Sequence, residues 1–241
     1  MMALIEIVIQ ELRDLGDERA IKHWINQGLD PSNYLGVSLT EAKKYAIKLK
    51  RRLRDQDTNR HDFALKLWDS GVHDARLVAI YIEDPKKTTK KQIESWMDDI
   101  SFFDLVDKLG TEILLKTKWT KQYIDKWKSH DHWLYRRMAY HLLGQYAYKD
   151  KTSDPEYLES FLREIESNIR KEQNRVKESM LYAIMYIGGR TPALNRKCLE
   201  LAERVDDVAI DYGETNCQQP LIRKHMSKDH TKKRMKKYYT S

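Results

Sequence analysis

The stretch Ala64-Leu-Lys-Leu-Trp-Asp-Ser-Gly-Val-His-Asp-Ala-Arg-Leu-Val-Ala79 decides the fold. Phe63, Leu67 and Trp68 recur at helical spacing, Gly71 breaks the run, and a second apolar segment begins around Arg76. The same order returns further along. Trp68-Asp-Ser70 followed by Arg76-Leu-Val-Ala79-Ile80 is echoed by Trp127-Lys-Ser129 followed by Arg136-Arg-Met-Ala139-Tyr140. That offset fits two helical hairpins of about 30 residues each. It predicts an all-α chain, an α-solenoid of stacked antiparallel helix pairs forming a single curved domain, in preference to a closed bundle. A curved concave surface suits a long rigid ligand such as duplex DNA.

Helical spacing continues on both sides, as in Leu4, Val8, Leu12 and Leu15, and the whole reads as roughly a dozen helices. Ser38-x-x-Glu41 spells a capping box and Ser101-x-x-Asp104 a weaker one, while Asp154-Pro155 predicts an N-cap followed by proline in the first turn. Gly16, Asp84-Pro85, Gly188-Gly189 and Pro192 punctuate the pattern. The segment from Ile210 to Pro220 breaks the helical period. We therefore expect one repeat domain over residues 1–222 and a basic, frayed C-terminal arm over 223–241.

With 34% charged residues, nine glycines and five prolines in 241 residues, the composition is that of a folded helical protein, neither fibrous nor disordered. The apolar run Met1 to Ile9 passes directly into Gln10, Glu11 and Arg13 and lacks the marks of a signal peptide. No stretch approaches the roughly 20 apolar residues that span a bilayer. These features predict a cytoplasmic, nucleoid-associated protein with no membrane partner. Cys198 and Cys217 are expected to be reduced thiols. Charge is unevenly placed. From Arg223 onward eight Lys or Arg stand against Asp229 alone, so the formal excess of +7 sits entirely in the tail. A basic arm beside a neutral body suits a polyanion, since each cation that neutralises a phosphate releases counterions. A solvated terminus is the alternative reading.

Two segments carry candidate chemistry. In Ser101-Phe-Phe-Asp-Leu-Val-Asp107, helical spacing lets Phe103, Asp104 and Asp107 share a face. The alternative makes Phe102, Leu105, Val106 and Leu109 the buried stripe and leaves both aspartates in water. In Trp133-Leu-Tyr-Arg-Arg137, two guanidinium groups stand among aromatic side chains, with Trp127, Tyr140, Lys126 and Lys128 nearby in sequence. Arginine grips phosphate bidentately and aromatic faces stack on bases. Here the alternative is an arginine that pairs with an acid between stacked helices. His130-Asp-His132 has no distant partner, so no metal site is expected.

In order, Phe103-x-x-x-Asp107, Trp133-Leu-x-Arg136 and Tyr182-Ala-Ile ahead of Gly188 resemble the AlkD-like DNA alkylation repair proteins. The Ala64–Ala79 stretch with Asp84-Pro85, and Gly213-Glu-Thr-x-Cys217, are similar to the same family. The resemblance implies HEAT-like repeats and, in active members, excision of cationic alkylated purines such as N3-methyladenine and N7-methylguanine without metal or cofactor. A cationic base is already a good leaving group, so the reaction needs chiefly a carboxylate to stabilise charge on the sugar.

By that resemblance Asp107 is the catalytic carboxylate, and Phe103 and Tyr182 wall the damaged nucleotide. Arg136 binds phosphate if Trp133 sets the alignment, Arg137 if Met138-Ala139-Tyr140 does. Lys126 and Lys128 add phosphate contacts, and Trp127 and Trp133 are candidate DNA contacts. Family glycosylases carry Trp at both wall positions. Phe and Tyr keep an aromatic wall but attract a cation less strongly. The expectation is a monomer on double-stranded DNA that excises alkylated bases. The alternatives are a non-catalytic binder of bent, branched or damaged DNA, and a protein-binding scaffold.

Overall fold

The structure is a computed structural model describing residues 2–150, 153–213, 215–228 and 231. Among the described residues the chain is helical: α1 (Met2–Asp14), α2 (Glu18–Ile25), α3 (Leu39–Asp55), α4 (Arg60–Trp68), α5 (His73–Ile82), α6 (Lys90–Asp99), α7 (Phe103–Glu112), α8 (Thr120–Trp127), α9 (Trp133–Lys149), α10 (Pro155–Asn168), α11 (Asn174–Gly188), α12 (Pro192–Val205) and α13 (Ile222–Met226). None of these helices is long and apolar enough to cross a membrane. Two compact units divide them. One holds the chain up to Thr117 with 213–216, the other Lys118–Tyr212 and the chain from Cys217.

Local signals fix the helix starts. The Ser38 hydroxyl accepts the Glu41 amide at 3.2 Å to open α3, and the Asp154 carboxylate accepts the Glu156 amide at 2.9 Å to open α10 with Pro155 behind it. At α7 the expected box does not form. The N-cap falls at Phe102 without a side-chain bond, because Asp104 turns into the core.

In the first unit α4 packs on α5, α3 on α5, and α5 on α7. Trp68 stacks face to face on Trp96 at 4.1 Å, and its indole N–H donates to Asp99 at 2.8 Å. The carboxylate of Asp74, wholly buried, accepts the amides of Leu35 at 2.6 Å and Val37 at 2.8 Å and so ties the chain before α3 to the start of α5. Burial pushes that carboxyl above the usual carboxylate range, with the two amides opposing the rise.

In the second unit α9 lies against α8 and α11, and α12 against α10 and α11. Gly144 lets α9 approach α11, since a Cβ there would sit 3.0 Å from the Tyr186 ring and 3.3 Å from the Ala183 Cα. Gly188 ends α11 where a Cβ would meet Met226 at 2.2 Å. Its role is therefore close packing. Met226 belongs to α13, which lies on α11 and α12 with Ile222 and Met226 buried, and Arg223 pairs with Asp206 at 3.2 Å. The expected arm thus begins as a docked helix and not as a frayed end. Residues 232–241, which hold most of its cations, lie outside the described residues.

Candidate nucleic-acid interface

Within α7 the two aspartates separate. Asp104 is buried: one oxygen accepts the Leu105 amide at 2.7 Å and the other lies 3.0 Å from Nε2 of His73. The alternative that leaves both aspartates in water therefore fails for Asp104, because His73 on α5 offers a partner 31 residues away. Asp107, one turn after Phe103, is half-buried. The apolar stripe is as read, with Phe102, Leu105, Val106 and Leu109 buried.

Phe103 joins that stripe at 7% exposure, 4.5 Å from the Phe102 ring and 6.1 Å, edge on, from Trp24 of α2. As a nucleotide wall it is covered. The half-buried Trp24 also meets Phe102 edge on at 5.7 Å and shares a hydrogen bond with Tyr34. Trp24 was not singled out from the sequence, since it lies almost 80 residues from Phe103 in a short helix with few other signals.

The second unit places the arginines. Arg136, in the first turn of α9, directs Nε at both Glu172 oxygens (2.9 and 3.1 Å) and Nη2 at one of them (3.0 Å), while Nη1 donates to the carbonyls of His130 and Asp131, both at 2.7 Å. All three nitrogens are committed to closing the α8–α9 corner and joining it to the next hairpin. Arg137, 4% exposed, donates to the Arg175 carbonyl and to Glu178 at 2.9 Å. The pairing alternative is what the structure contains at both positions. Neither guanidinium is presented to a phosphate.

Lys128 pairs with Glu164 and lies over the Phe161 ring at 5.1 Å, so it too is engaged. Trp127 is 1% exposed, tilted against Tyr123 at 4.2 Å and edge on to Tyr135 at 5.2 Å. It is core and not a DNA contact: a large indole at the end of a hairpin's first helix fills the hairpin's own interior. Tyr140 is equally buried, its hydroxyl donating to Glu164 at 3.1 Å. Lys126 is exposed near the Tyr123 ring, Trp133 is half-buried, and Tyr182 on α11 is 42% exposed with its ring near-parallel to Tyr186. His130 stacks on Tyr135 at 4.1 Å, and His132 caps α9.

The uncharacterized protein Lin0241 of Listeria innocua is 25% identical over 222 residues, covering 87% of this chain and 90% of that one. The uncharacterized protein Lmo0209 of Listeria monocytogenes matches with the same identity and coverage. A solved structure, described as representing a new family of proteins related to the HEAT-like repeat DNA glycosylases with affinity for branched DNA structures, superposes with a TM-score of 0.81. It covers 96% of this chain and 95% of that one at 22% identity, and so establishes a shared HEAT-like helical repeat fold. The sequence pattern of the DNA alkylation repair enzyme family matches residues 8–214, most of the chain, and the chain therefore belongs to that family.

Proposed function

We propose that this protein binds branched or distorted double-stranded DNA and holds it without cutting a base away. The observation that carries this reading is the state of the expected excision machinery. Phe103 lies under Phe102 and Trp24 at 7% exposure, and every guanidinium nitrogen of Arg136 already donates to an oxygen of the protein. A base-excising pocket needs an open aromatic face for the extruded nucleotide and donors aimed at its backbone. Binding DNA needs less: cations for the backbone and rings at least partly open to unstacked bases, which Lys126, the half-buried Trp133 and Tyr182 supply. Affinity for branched DNA in the structural neighbour's family supports the same reading.

Asp107 favours a second reading. It stays partly open on α7 where Asp104 has turned to His73, and the family resemblance gives it the part of a carboxylate that stabilises an oxocarbenium-like sugar. On that reading the protein hydrolyses the N-glycosidic bond of N3-methyladenine or N7-methylguanine. The two readings part in one experiment. The protein, in excess over duplex containing both lesions, is assayed for free base beside an Asp107→Asn variant, and binding to a four-way junction is measured in parallel. Junction binding without base release is the expected result. Release abolished by Asp107→Asn establishes the glycosylase instead, and a binding constant indifferent to salt removes both in favour of a protein scaffold.

A further inference from the structure

The first unit contains a cleft of about 530 Å³ that none of the expected contacts touches. It is walled by the last turns of α3, the turn into α4, the start of α4, and the Asp84–Lys87 turn after α5. Five cations line it, Lys50, Arg51, Arg54, Arg60 and Lys87, against the two acids Asp57 and Asp84.

Few of these charges are answered internally. Arg60 lies 3.5 Å from Asp84, and Arg54 lies 3.5 Å from its exposed neighbour Asp55. The side chains of Lys50, Arg51 and Lys87 make no hydrogen bond or ion pair with any described residue. Lys50 is also half-buried, and burial together with the nearby cations Arg60 and Lys116 holds its ammonium below the usual lysine range, with Glu112 opposing. An ammonium withdrawn from water among like charges is stabilised by an incoming anion.

The turn that forms one wall is built under strain. Asp57 is the only non-glycine residue with positive φ among the described residues, at 49°. It closes α3 in a Schellman arrangement, with the Thr58 amide donating to the Leu53 carbonyl at 2.8 Å and the Asp57 amide to that of Arg54 at 3.1 Å. Asn59 then caps α4 by accepting the His61 amide at 3.1 Å, so the positive end of the α4 dipole opens at the cleft.

We propose that this cleft binds the phosphodiester backbone of a nucleic-acid strand. The inference rests on the DNA-binding reading above and deepens it by adding a contact which that reading does not contain. Several phosphates suit the cleft better than one. Lys50 and Arg54 are separated by about 6 Å along α3, one helical turn. The five cations exceed what a single phosphate group, at no more than about −2, can balance. Apart from His61 the lining has no ring on which a base could stack, so the contact is to backbone and is independent of sequence.

The test compares wild type with the Lys50→Gln/Arg51→Gln/Lys87→Gln variant and with a charge-matched control, Lys22→Gln/Arg163→Gln/Arg196→Gln, drawn from exposed cations on other helices. Anisotropy of a labelled four-way junction is followed between about 50 and 200 mM salt. The cleft variant should bind at least tenfold more weakly at low salt, with a log-log salt slope shallower by roughly 2 to 3, beyond any change in the control. A slope and affinity equal to the control's overturn the cleft while leaving the DNA-binding reading intact.

Absence of binding by wild type sinks the DNA-binding reading and the strand proposal with it. Thermal shift with inorganic phosphate then asks about the cleft alone: stabilisation of wild type that the cleft variant lacks would assign it to a free phosphoryl anion. Melting by circular dichroism checks folding, which removal of mutually repelling cations should not harm. Should the triple variant fail to fold, Asp57→Asn serves in its place. It keeps a residue that tolerates positive φ, removes an acid, and should tighten junction binding severalfold; unchanged or weaker binding would count against the cleft.

Discussion

The hairpin α4–α5 in the first unit and the hairpin α8–α9 in the second are built on one plan and put to different ends. Each first helix closes on a buried tryptophan, Trp68 or Trp127. Each second helix carries an arginine in its first turn that ties the corner to an acid further along. Arg76 donates to the carbonyls of Trp68 (3.3 Å) and Asp99 (2.8 Å), lies over the Trp68 ring at 5.1 Å, and approaches the Asp99 carboxylate at 3.8 Å. Arg136 does the same work with the carbonyls of His130 and Asp131 and with Glu172. Because these arginines sit in one register, Arg136 is understood first as a corner clamp. The differences lie on either side of it. The first hairpin has Leu77 after its arginine where the second has Arg137, and the first opens α5 on buried His73 and Asp74 where the second opens α9 on Trp133 and Leu134.

Arg137 is where breaking this comparison should cost most. Its guanidinium and the Glu178 carboxylate are 5% and 14% exposed, so Arg137→Ala strands a nearly buried charge. The expected loss is about 3–5 kcal/mol, read as a fall in the urea midpoint. Leucine, the residue in register in the first hairpin, should also fail unless Glu178 is changed with it. A loss below about 1 kcal/mol would mean that Glu178 finds water or Arg175, 3.6 Å away, without penalty.

Asp74→Ala comes next, at about 2–4 kcal/mol, because it leaves the Leu35 and Val37 amides without their acceptor. The pH dependence has a definite sign. Burial raises the folded-state carboxyl above its ordinary value of 3.8. The proton is therefore held more tightly in the folded state, and the stability linked to it is complete below that value and lost as pH rises through the raised one. The advantage of wild type over Asp74→Asn should accordingly shrink from about pH 4 upward. An advantage that grows with pH would show that the two amides outweigh burial.

The corner arginines follow. Arg136→Ala should cost about 2 kcal/mol and Arg76→Ala about 1, since Arg136 makes a forked contact with Glu172 while Arg76 only approaches its acid. Junction affinity should be unchanged in both. A tenfold loss of affinity in Arg136→Ala at intact stability would return Arg136 to the phosphate-binding role that the family resemblance gives it.

How much of this was legible in the sequence divides along the same line. The helices, the corner at Gly71, the caps at Ser38 and Asp154 and the equivalence of the hairpins follow from spacing and local hydrogen bonding, which a few neighbouring residues determine. The direction of a polar side chain does not. Asp104 spells a capping residue yet turns to His73, and Arg136 finds Glu172 36 residues on, because the deciding partner is supplied by another hairpin. Trp127 illustrates the same limit. Set between Lys126 and Lys128 it reads as a candidate DNA contact, yet it is buried as its register partner Trp68 is. The net charge directs attention to the C-terminal tail and away from Lys50-Arg-Arg-Leu-Arg54, whose significance appears only when the fold brings Arg60 and Lys87 to its side.

Trp133 carries the smallest structural effect and sharpens the comparison most. Its register partner His73 is buried and bonded to Asp104, whereas Trp133 is half-buried in the first turn of α9 with His132 lying near-parallel to its ring. Trp133→Ala should therefore cost little stability, and the disruption expected of His73→Ala should not appear. If the second hairpin presents this indole to an unstacked base, junction affinity should fall roughly tenfold, the lower part of the 1–3 kcal/mol that stacking on an aromatic side chain provides. The salt slope should stay constant, because no phosphate contact is removed. Phenylalanine should restore most of the affinity and leucine should not, since a flat π-face is required and apolar bulk alone is insufficient. Equal recovery by leucine would show that Trp133 only packs the corner, leaving the second hairpin no more open to DNA than the first.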